Sequence, residues 1–212
     1  MSAAPQIPPT VHRWLVDYYL ALRAVASGRF TERQDLILFR RRCPATEEAL
    51  PAATEIRAFT SPDAFLDLAD AGYDLASPAD HANAVTRFFP GGQLYAVFID
   101  KKLAHFSRVM ADRHDPNFGP YLGEMGAAAD ICIGPCETLP AFRGRGLYAA
   151  ALRRICAEAG PCDAFIYCAA TNTASVKGIR KASFTEIGRI VRRRILFWSR
   201  TKFTPSPMGP DV

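Results

Sequence analysis

The chain has 212 residues and a formal net charge of +5, from 26 basic and 21 acidic residues. Hydrophobic residues make up 49% and charged residues 22% of the sequence, which excludes an intrinsically disordered protein and suits one domain of ordinary size with an extra N-terminal element. The mild positive charge favours an anionic cofactor and is weak evidence for a nucleic acid or an anionic membrane.

The sequence carries no sign of export or of membrane insertion. It has no run of 18 apolar residues, and no basic segment followed by an apolar core begins the chain. The six cysteines form no CxxC pair, and several lie within apolar runs, which predicts buried, reduced thiols. No His or carboxylate stands at metal-ligand spacing from them. We therefore expect a cytoplasmic protein with no metal and no membrane span.

The two ends of the chain are predicted to lie outside the main domain. Residues 1–9 contain three prolines and predict a tail, and residues 11–26 carry apolar side chains at helical spacing. A short apolar strand, 36–39, follows. Residues 1–50 are thus interpreted as an N-terminal helical extension with a short strand. The proline-containing residues 201–212 are interpreted as a flexible tail.

Residues 51–200 are predicted to form the main domain. Its first half contains a half-buried strand at 55–59 and a helix that starts at Ser61 and runs to Gly72. Two strands, 93–99 and 103–109, form a hairpin. A long polar loop over residues 111–126 then follows.

The second half of the main domain contains a parallel crossover. A strand at 130–138 leads through a helix at 147–159 to a buried strand at 164–169. A helix from Thr173 to Lys181 and two final strands complete the chain. Together these elements predict an α+β fold with a central mixed, mostly antiparallel sheet that has one parallel βαβ crossover and is flanked by helices.

The segment Arg143–Tyr148 predicts a pyrophosphate site. It follows a strand and opens a helix, where unpaired backbone N–H groups and the helix dipole attract anions. Gly144 and Gly146 allow a close backbone approach, and Arg143 and Arg145 supply charge and bidentate donors. The Walker sequence GxxxxGK[ST] is absent, and the third glycine of a dinucleotide turn is missing.

Two segments resemble the GNAT superfamily of acyl-CoA-dependent N-acyltransferases. Residues 139–148 are similar to its acyl-CoA loop, and residues 172–184 are similar to its second signature, which begins with Asn and ends with Lys-x-Gly-Phe. Ser183 stands where the family has that glycine, and Tyr148 where it has a small residue. The resemblance covers residues 137–190 best. It implies that strands 130–138 and 164–170 splay apart, as in the acyl-CoA N-acyltransferase fold.

The resemblance also implies the activity, which is transfer of an acetyl group from acetyl-CoA, the co-substrate, to a primary amine of a small molecule. The amine would attack the thioester directly. The residues that would contact coenzyme A are Thr138, Leu139, Arg143, Gly144, Arg145, Gly146, Leu147, Tyr148, Asn172, Ser175 and Lys181.

The catalytic residues are less well defined than the coenzyme site. Glu137, at the end of the splayed strand, is the first candidate for the general base, although a solvated strand-end carboxylate is an equal interpretation. Asp130 is a weaker candidate. Many GNAT enzymes carry a tyrosine that protonates the leaving thiolate, and its position here is Ile179. Tyr148 and Tyr167 are substitutes for that acid, with packing as their alternative role.

Two other functions stay open. One is transfer of a longer acyl chain, and the other is a non-catalytic acyl-CoA-binding module. The basic run 192–194 is interpreted as a solvated edge, so we expect no nucleic-acid partner. The sequence leaves open whether the chain forms a homodimer.

Overall fold

The computed structural model describes residues 31–43, 54–75, 92–111, 131–195 and 198–206. The predicted tail 1–9, the predicted helix 11–26, most of the predicted loop 111–126 and the candidate base Asp130 lie outside the described residues.

One eight-stranded sheet connects all of the described strands, in the order β2-β3-β4-β5-β6-β1-β7-β8. Its strands are β1 (Thr31–Arg42), β2 (Glu55–Phe59), β3 (Gly92–Ile99), β4 (Lys102–Met110), β5 (Ile131–Thr138), β6 (Asp163–Ala169), β7 (Thr185–Ile195) and β8 (Trp198–Pro205). The β5–β6 pair is parallel, and every other neighbouring pair is antiparallel. The predicted fold class is therefore confirmed.

Three helices pack against the sheet: α1 (Pro62–Leu66), α2 (Leu147–Ala159) and α3 (Thr173–Lys181). The Ser61 hydroxyl caps α1 by accepting from the Ala64 N–H at 3.3 Å, as its sequence predicts. α1 is shorter than predicted, because after Leu66 most of the backbone bonds span three residues, in a series of turns that ends at Gly72. No described helix has both the length and the apolar character needed to cross a membrane.

β1 is an interior strand, and it is three times as long as the apolar run that predicted it (residues 36–39). It pairs with β6 on one side and with β7 on the other, and Phe39 at its centre is fully buried. Arg40 and Arg42 extend the strand because both lie within 3.7 Å of the Asp163 carboxylate on β6. The boundary near residue 50 stays a prediction, but β1 belongs to the same sheet as the residues after it.

The sheet has two apolar faces, which we call the α2 face and the α1 face after the helix that packs on each. On the α2 face, Leu152 and Ile155 of α2 are fully buried against Ile133 and Ile166 of the sheet. Phe65 of α1 is buried on the opposite face. Burying each such side chain contributes roughly 1.5–3 kcal/mol. This packing fixes α2 with its N-terminus beside the end of β5.

Candidate functional site

β5 and β6 separate halfway along their length. They pair at only three positions, of which Ile133 with Ile166 is the last. Pro135 lacks an N–H group and cannot extend the pairing. Beyond it, β5 continues to Thr138 with β4 as its described partner, and no described pair joins residues 134–138 to β6. The splay implied by the resemblance is present, and it leaves one backbone edge of β5 facing a gap.

A β-bulge at the separation decides which way the side chains of β5 point. Ile133 lies opposite Val109 and Cys136 lies opposite Ser107, so β5 has one residue more than β4 between these pairs. As a result Cys136 packs with the cluster on the α2 face, as Ile133 does.

Glu137, the candidate base, is exposed at the end of β5 and also contributes to the rim of the cavity described below. It lies directly opposite Phe106, which packs in the cluster on the α1 face. Residues opposite each other on neighbouring strands share a face. The Glu137 side chain is therefore on the other side of the sheet from α2.

Two glycines form an open backbone turn at the start of α2. Gly144 and Gly146 have φ values of 79° and 77°, and a Cβ atom on either would meet nothing within 4 Å. Gly146 is the N-cap residue of α2. The N–H groups of the first turn after it have no partners within the helix, so this turn presents unpaired donors to the space above it.

A cavity of about 700 Å³ lies between this turn, β5 and the start of α3. Four cationic side chains line it: Arg143, Arg145, Lys177 and Lys181. Glu137 is the one carboxylate among the described lining residues. The cavity is therefore positive on balance and suits an anionic ligand.

The two arginines of the turn are held by local contacts. Arg143 donates from Nε to the carbonyl of Thr138 at 3.0 Å, and the guanidinium of Arg145 lies 5.3 Å from the centre of the Phe142 ring. These contacts restrict both side chains to the rim of the cavity. Less rotamer freedom then remains to be lost when an anion binds.

Of the residues expected to contact coenzyme A, all except Leu139 line this cavity. Leu139 instead packs against the cluster on the α1 face, and its N–H donates to the carbonyl of Ala104 at 3.0 Å. Asn172 has a structural task as well, because its Oδ1 accepts from the Ser175 N–H at 3.1 Å and caps α3. Contact with coenzyme A stays a prediction for all of them.

A buried polar network lies beneath the cavity. His105 is fully buried, with Nδ1 at 2.8 Å from Thr138 Oγ1 and Nε2 at 2.8 Å from Ser107 Oγ. The hydroxyls of Ser107 and Tyr148 both hydrogen-bond the thiol of Cys136, and each bond lowers the pKa of that thiol, against the larger rise that burial causes.

The two hydrogen bonds of His105 have opposite directions. A neutral imidazole carries one N–H, so His105 donates to the hydroxyl of one partner, Ser107 or Thr138, and accepts from the hydroxyl of the other.

Burial keeps the groups of this network neutral. It lowers the pKa of His105 to about 3 and raises the pKa of Cys136 to about 11. It also raises the pKa of Tyr148 well above its ordinary value, with contributions from Cys136 and Cys168. At neutral pH these side chains act as hydrogen-bonding groups and carry no charge.

Tyr148 is locked between α2 and α3. A Cβ atom on Gly178 of α3 would lie 2.5 Å from Cδ1 of Tyr148, so the ring rests directly on that glycine. The ring centroids of Tyr148 and His105 are 5.6 Å apart. Any side chain at position 178 would occupy the space that the ring fills.

The two other positions considered for a catalytic acid differ from Tyr148. Ile179 is fully buried in the core, so its position supplies no hydroxyl group that could act as an acid. Tyr167 packs with Leu36 and Phe203 on the α1 face, away from α2. Tyr148 is thus the described tyrosine that lines the cavity.

The six cysteines are free, as predicted. Cys43, Cys132, Cys156 and Cys162 are buried, whereas Cys136 and Cys168 are half-buried on the two separating strands. Among the described residues no group of three or more His, Cys, Asp or Glu side chains has metal-binding geometry.

Sequence reasoning missed His105, Ser107 and Cys136. The sequence signal that could have found them was the pair His105 and Ser107, two polar residues at alternate positions of an apolar strand, which share one face. A second bulge hid it, since the β3–β4 register shifts beside Leu103. Leu103 therefore packs on the α1 face, although His105, two residues later, contacts Tyr148 on the α2 face.

His105 is expected to make the fold less stable in acid. Its pKa is about 3 in the folded chain and 6.5 in the reference state. Below pH 6.5 the unfolded chain therefore binds a proton that the folded chain does not bind. The free energy of unfolding then decreases as the pH decreases, by up to about 1.4 kcal/mol per pH unit. Urea denaturation at pH 6, 5 and 4 should show a steeper loss for the wild type than for His105→Gln. If the free energy of unfolding has the same pH dependence in the two proteins, the low pKa of His105 is contradicted.

The comparisons with known proteins concern the fold. No family model matches the sequence, and no curated protein matches it. The structure is similar to a functionally unknown conserved protein from Staphylococcus epidermidis ATCC 12228, with a TM-score of 0.51, 13% identity, and coverage of 89% of this chain and 68% of that one.

Two further similar structures carry GNAT descriptions. A GCN5-related N-acetyltransferase from Sphaerobacter thermophilus has a TM-score of 0.47 and 15% identity, over 83% of this chain and 56% of that one. An acetyltransferase from the GNAT family from Colwellia psychrerythraea has a TM-score of 0.43 and 15% identity, over 90% and 75%. The chain thus spans little more than half the length of the Sphaerobacter protein. The mixed sheet of this chain, with one split parallel pair, has the fold class expected from the sequence.

Proposed function

We propose that the protein is an N-acyltransferase that moves an acetyl group from acetyl-CoA to a primary amine of a small molecule. The amine would attack the thioester directly, with no covalent enzyme intermediate. The observation that carries this proposal is the cavity, in which an open Gly-rich turn at a helix N-terminus adjoins the free edge of a splayed strand.

The cavity suits coenzyme A in size and charge. Its volume is about 700 Å³, and four cationic side chains line it, two of them in the turn where the pyrophosphate would bind. Gly144, Gly146 and the first turn of α2 would hold that pyrophosphate through backbone N–H groups. The free backbone edge of β5 near Cys136 would hydrogen-bond the pantetheine arm. Coenzyme A, when bound, supplies the thioester that the amine attacks.

The chain's own residues would position the reactants and handle one proton. Glu137 is the proposed base, because it is exposed on the rim of the cavity, with its side chain on the sheet face opposite α2. An amine that approached from that side would meet the thioester through the gap. Most of the rate enhancement would come from holding the two reactants together.

Tyr148 would serve as a hydrogen-bond donor toward the leaving sulfur. Its raised pKa means that it gives up its proton less readily than an ordinary tyrosine. Its hydroxyl hydrogen-bonds the thiol of Cys136, and it would turn from that sulfur to the chemically similar thiolate of the leaving coenzyme. Stabilisation of developing charge by such a donor does not require proton transfer.

A second candidate is a non-catalytic acyl-CoA-binding module. Ile179 supports it, because this buried apolar side chain occupies the position of the family's acidic tyrosine. The same cavity would then bind the coenzyme, and no chemistry would follow. Transfer of a longer acyl chain is a variant of the first proposal and uses the same residues.

The functional test follows thiol release from acetyl-CoA with a panel of primary amines. Glu137→Gln should lower kcat/KM by about 10²–10⁴-fold near neutral pH, which is the usual contribution of a general base. The exposed Glu158 on α2 serves as the control, and Glu158→Gln should keep full activity. Coenzyme binding without turnover of any amine would favour the binding module.

A further inference from the structure

Three arginines lie side by side across three neighbouring strands. Arg33 of β1 is directly opposite Arg193 of β7, which is directly opposite Arg200 of β8. Residues in such register point to the same face. Strands are about 4.8 Å apart, so the three side chains start within roughly 10 Å of one another. We call this set the arginine row.

The arginine row is exposed and is poorly neutralised. All three side chains are exposed, as is Lys202, which follows Arg200 on the same face of β8. Asp35 is the acidic side chain that meets the row, at 4.0 Å from Arg33. No described carboxylate lies within ion-pair distance of Arg193 or Arg200.

Other arginines nearby are paired, which sets the row apart. Arg180 lies 2.9 Å from Glu186 on β7, and Arg189 lies 3.7 Å from the same carboxylate. Arginines held directly opposite one another repel and weaken the sheet. The row therefore does not stabilise the fold, and an external anion would relieve its repulsion.

We infer that the arginine row is a binding surface for the phosphate backbone of a nucleic acid. Guanidinium groups match phosphate oxygens with paired hydrogen bonds, and a row of them suits successive phosphates. The inference is independent of the acyl-transfer proposal. The guanidinium groups of the row match phosphate oxygens and not base edges, so the proposed contact is with the backbone and not with sequence.

The composition of the row favours a phosphate backbone as its ligand. The side chains of Arg33, Arg193, Arg200 and Lys202 are all cationic and exposed, and Val191, opposite Lys202, is half-buried. A nucleic acid presents a continuous line of phosphates to such a surface. An interface with an acidic protein would have an apolar centre.

The sequence alone shows only a run of arginines at 192–194. Alternate residues of a strand point to opposite faces, so that run does not form one surface. The strand register changes this interpretation, because it joins Arg193 to residues far away in the chain. Arg193, which the sequence analysis placed in a solvated edge, is therefore one part of a cationic surface that spans three strands.

The test measures binding of a fluorescent 30-base-pair random-sequence duplex DNA to the full chain at several salt concentrations. The triple variant Arg33→Gln, Arg193→Gln, Arg200→Gln should bind at least tenfold more weakly. Its slope of log K against log salt should be smaller by up to about 2.7, since each lost phosphate contact contributes about 0.9. The matched control, Arg57→Gln, Arg154→Gln, Arg180→Gln, removes the same charge from paired arginines and should keep both affinity and slope.

Each other outcome overturns the inference. Absence of DNA binding by the wild type at low salt would do so, as would equal losses in the two triple variants, which would indicate only net charge. Binding to phosphatidylserine vesicles without binding to DNA would assign the surface to a membrane. Thermal melting shows that the row variant is folded, and it should melt no lower than the wild type because repulsion is removed.

Discussion

Replacement of Gly146 by valine is expected to abolish the thermal stabilisation that acetyl-CoA gives to the protein. Gly146 has a φ of 77° at the N-cap of α2, a conformation that a β-branched residue adopts only with strain of roughly 1–3 kcal/mol. The open space around its missing Cβ is the space in which an anion would approach the turn. We expect coenzyme affinity to fall at least tenfold, or by about 1.4 kcal/mol.

Gly72→Val is the matched control for this experiment. Gly72 has a φ of 78°, a Cβ on it would likewise meet nothing within 4 Å, and it lies in the turns after α1, outside the cavity lining. The two variants should therefore lose similar stability from backbone strain. Only Gly146→Val should lose the response to acetyl-CoA. A full response in Gly146→Val would refute the assignment of the turn.

Gly178→Ala is expected to destabilise the fold, although alanine is the better helix former. In an open helix position this change would stabilise by about 1 kcal/mol. At position 178 the new methyl group would lie 2.5 Å from a ring carbon of Tyr148, so the ring must move. Overpacking of this kind costs roughly 1–3 kcal/mol. Urea denaturation should therefore give a lower midpoint for Gly178→Ala than for the wild type.

A double-mutant cycle identifies the cause of that loss. Tyr148→Ala removes the ring, so that Gly178→Ala in the same background should be stabilising by about 1 kcal/mol. The sign of the effect thus reverses, and the coupling energy should equal the overpacking cost, roughly 1–3 kcal/mol. If alanine at 178 has the same effect in both backgrounds, the ring does not occupy the position described. The Cys136 and His105 contacts of Tyr148 would then need to be reassigned.

The fold was largely predictable because its local signals are strong. The strands at 55–59, 93–99 and 103–109 were expected within a residue or two of their observed limits, as were helices α2 and α3. Hydrophobic periodicity and glycine stops define such elements without knowledge of the tertiary structure. The split of the parallel pair came from the family resemblance and not from local signals.

The parts of the site that sequence could not predict depend on bulges and on distant register. Two bulges, beside Leu103 and at Gly134–Pro135, turn His105 and Cys136 toward α2. A bulge moves every later side chain to the opposite face, and a simple alternation cannot reveal it. The location of β1 was hidden for a related reason, since its partners lie in the last third of the chain.

The interior location of β1 determines when the sheet can form. Leu36 pairs with Ala169 on one side and with Ile190 on the other. During synthesis β1 leaves the ribosome well before either of its partners, β6 and β7. Contacts so distant in sequence are formed slowly, because a long loop must close before they stabilise the chain. The nascent chain must therefore carry an apolar strand with two open edges until β6 and β7 have been made, and β1 needs protection from aggregation during that time.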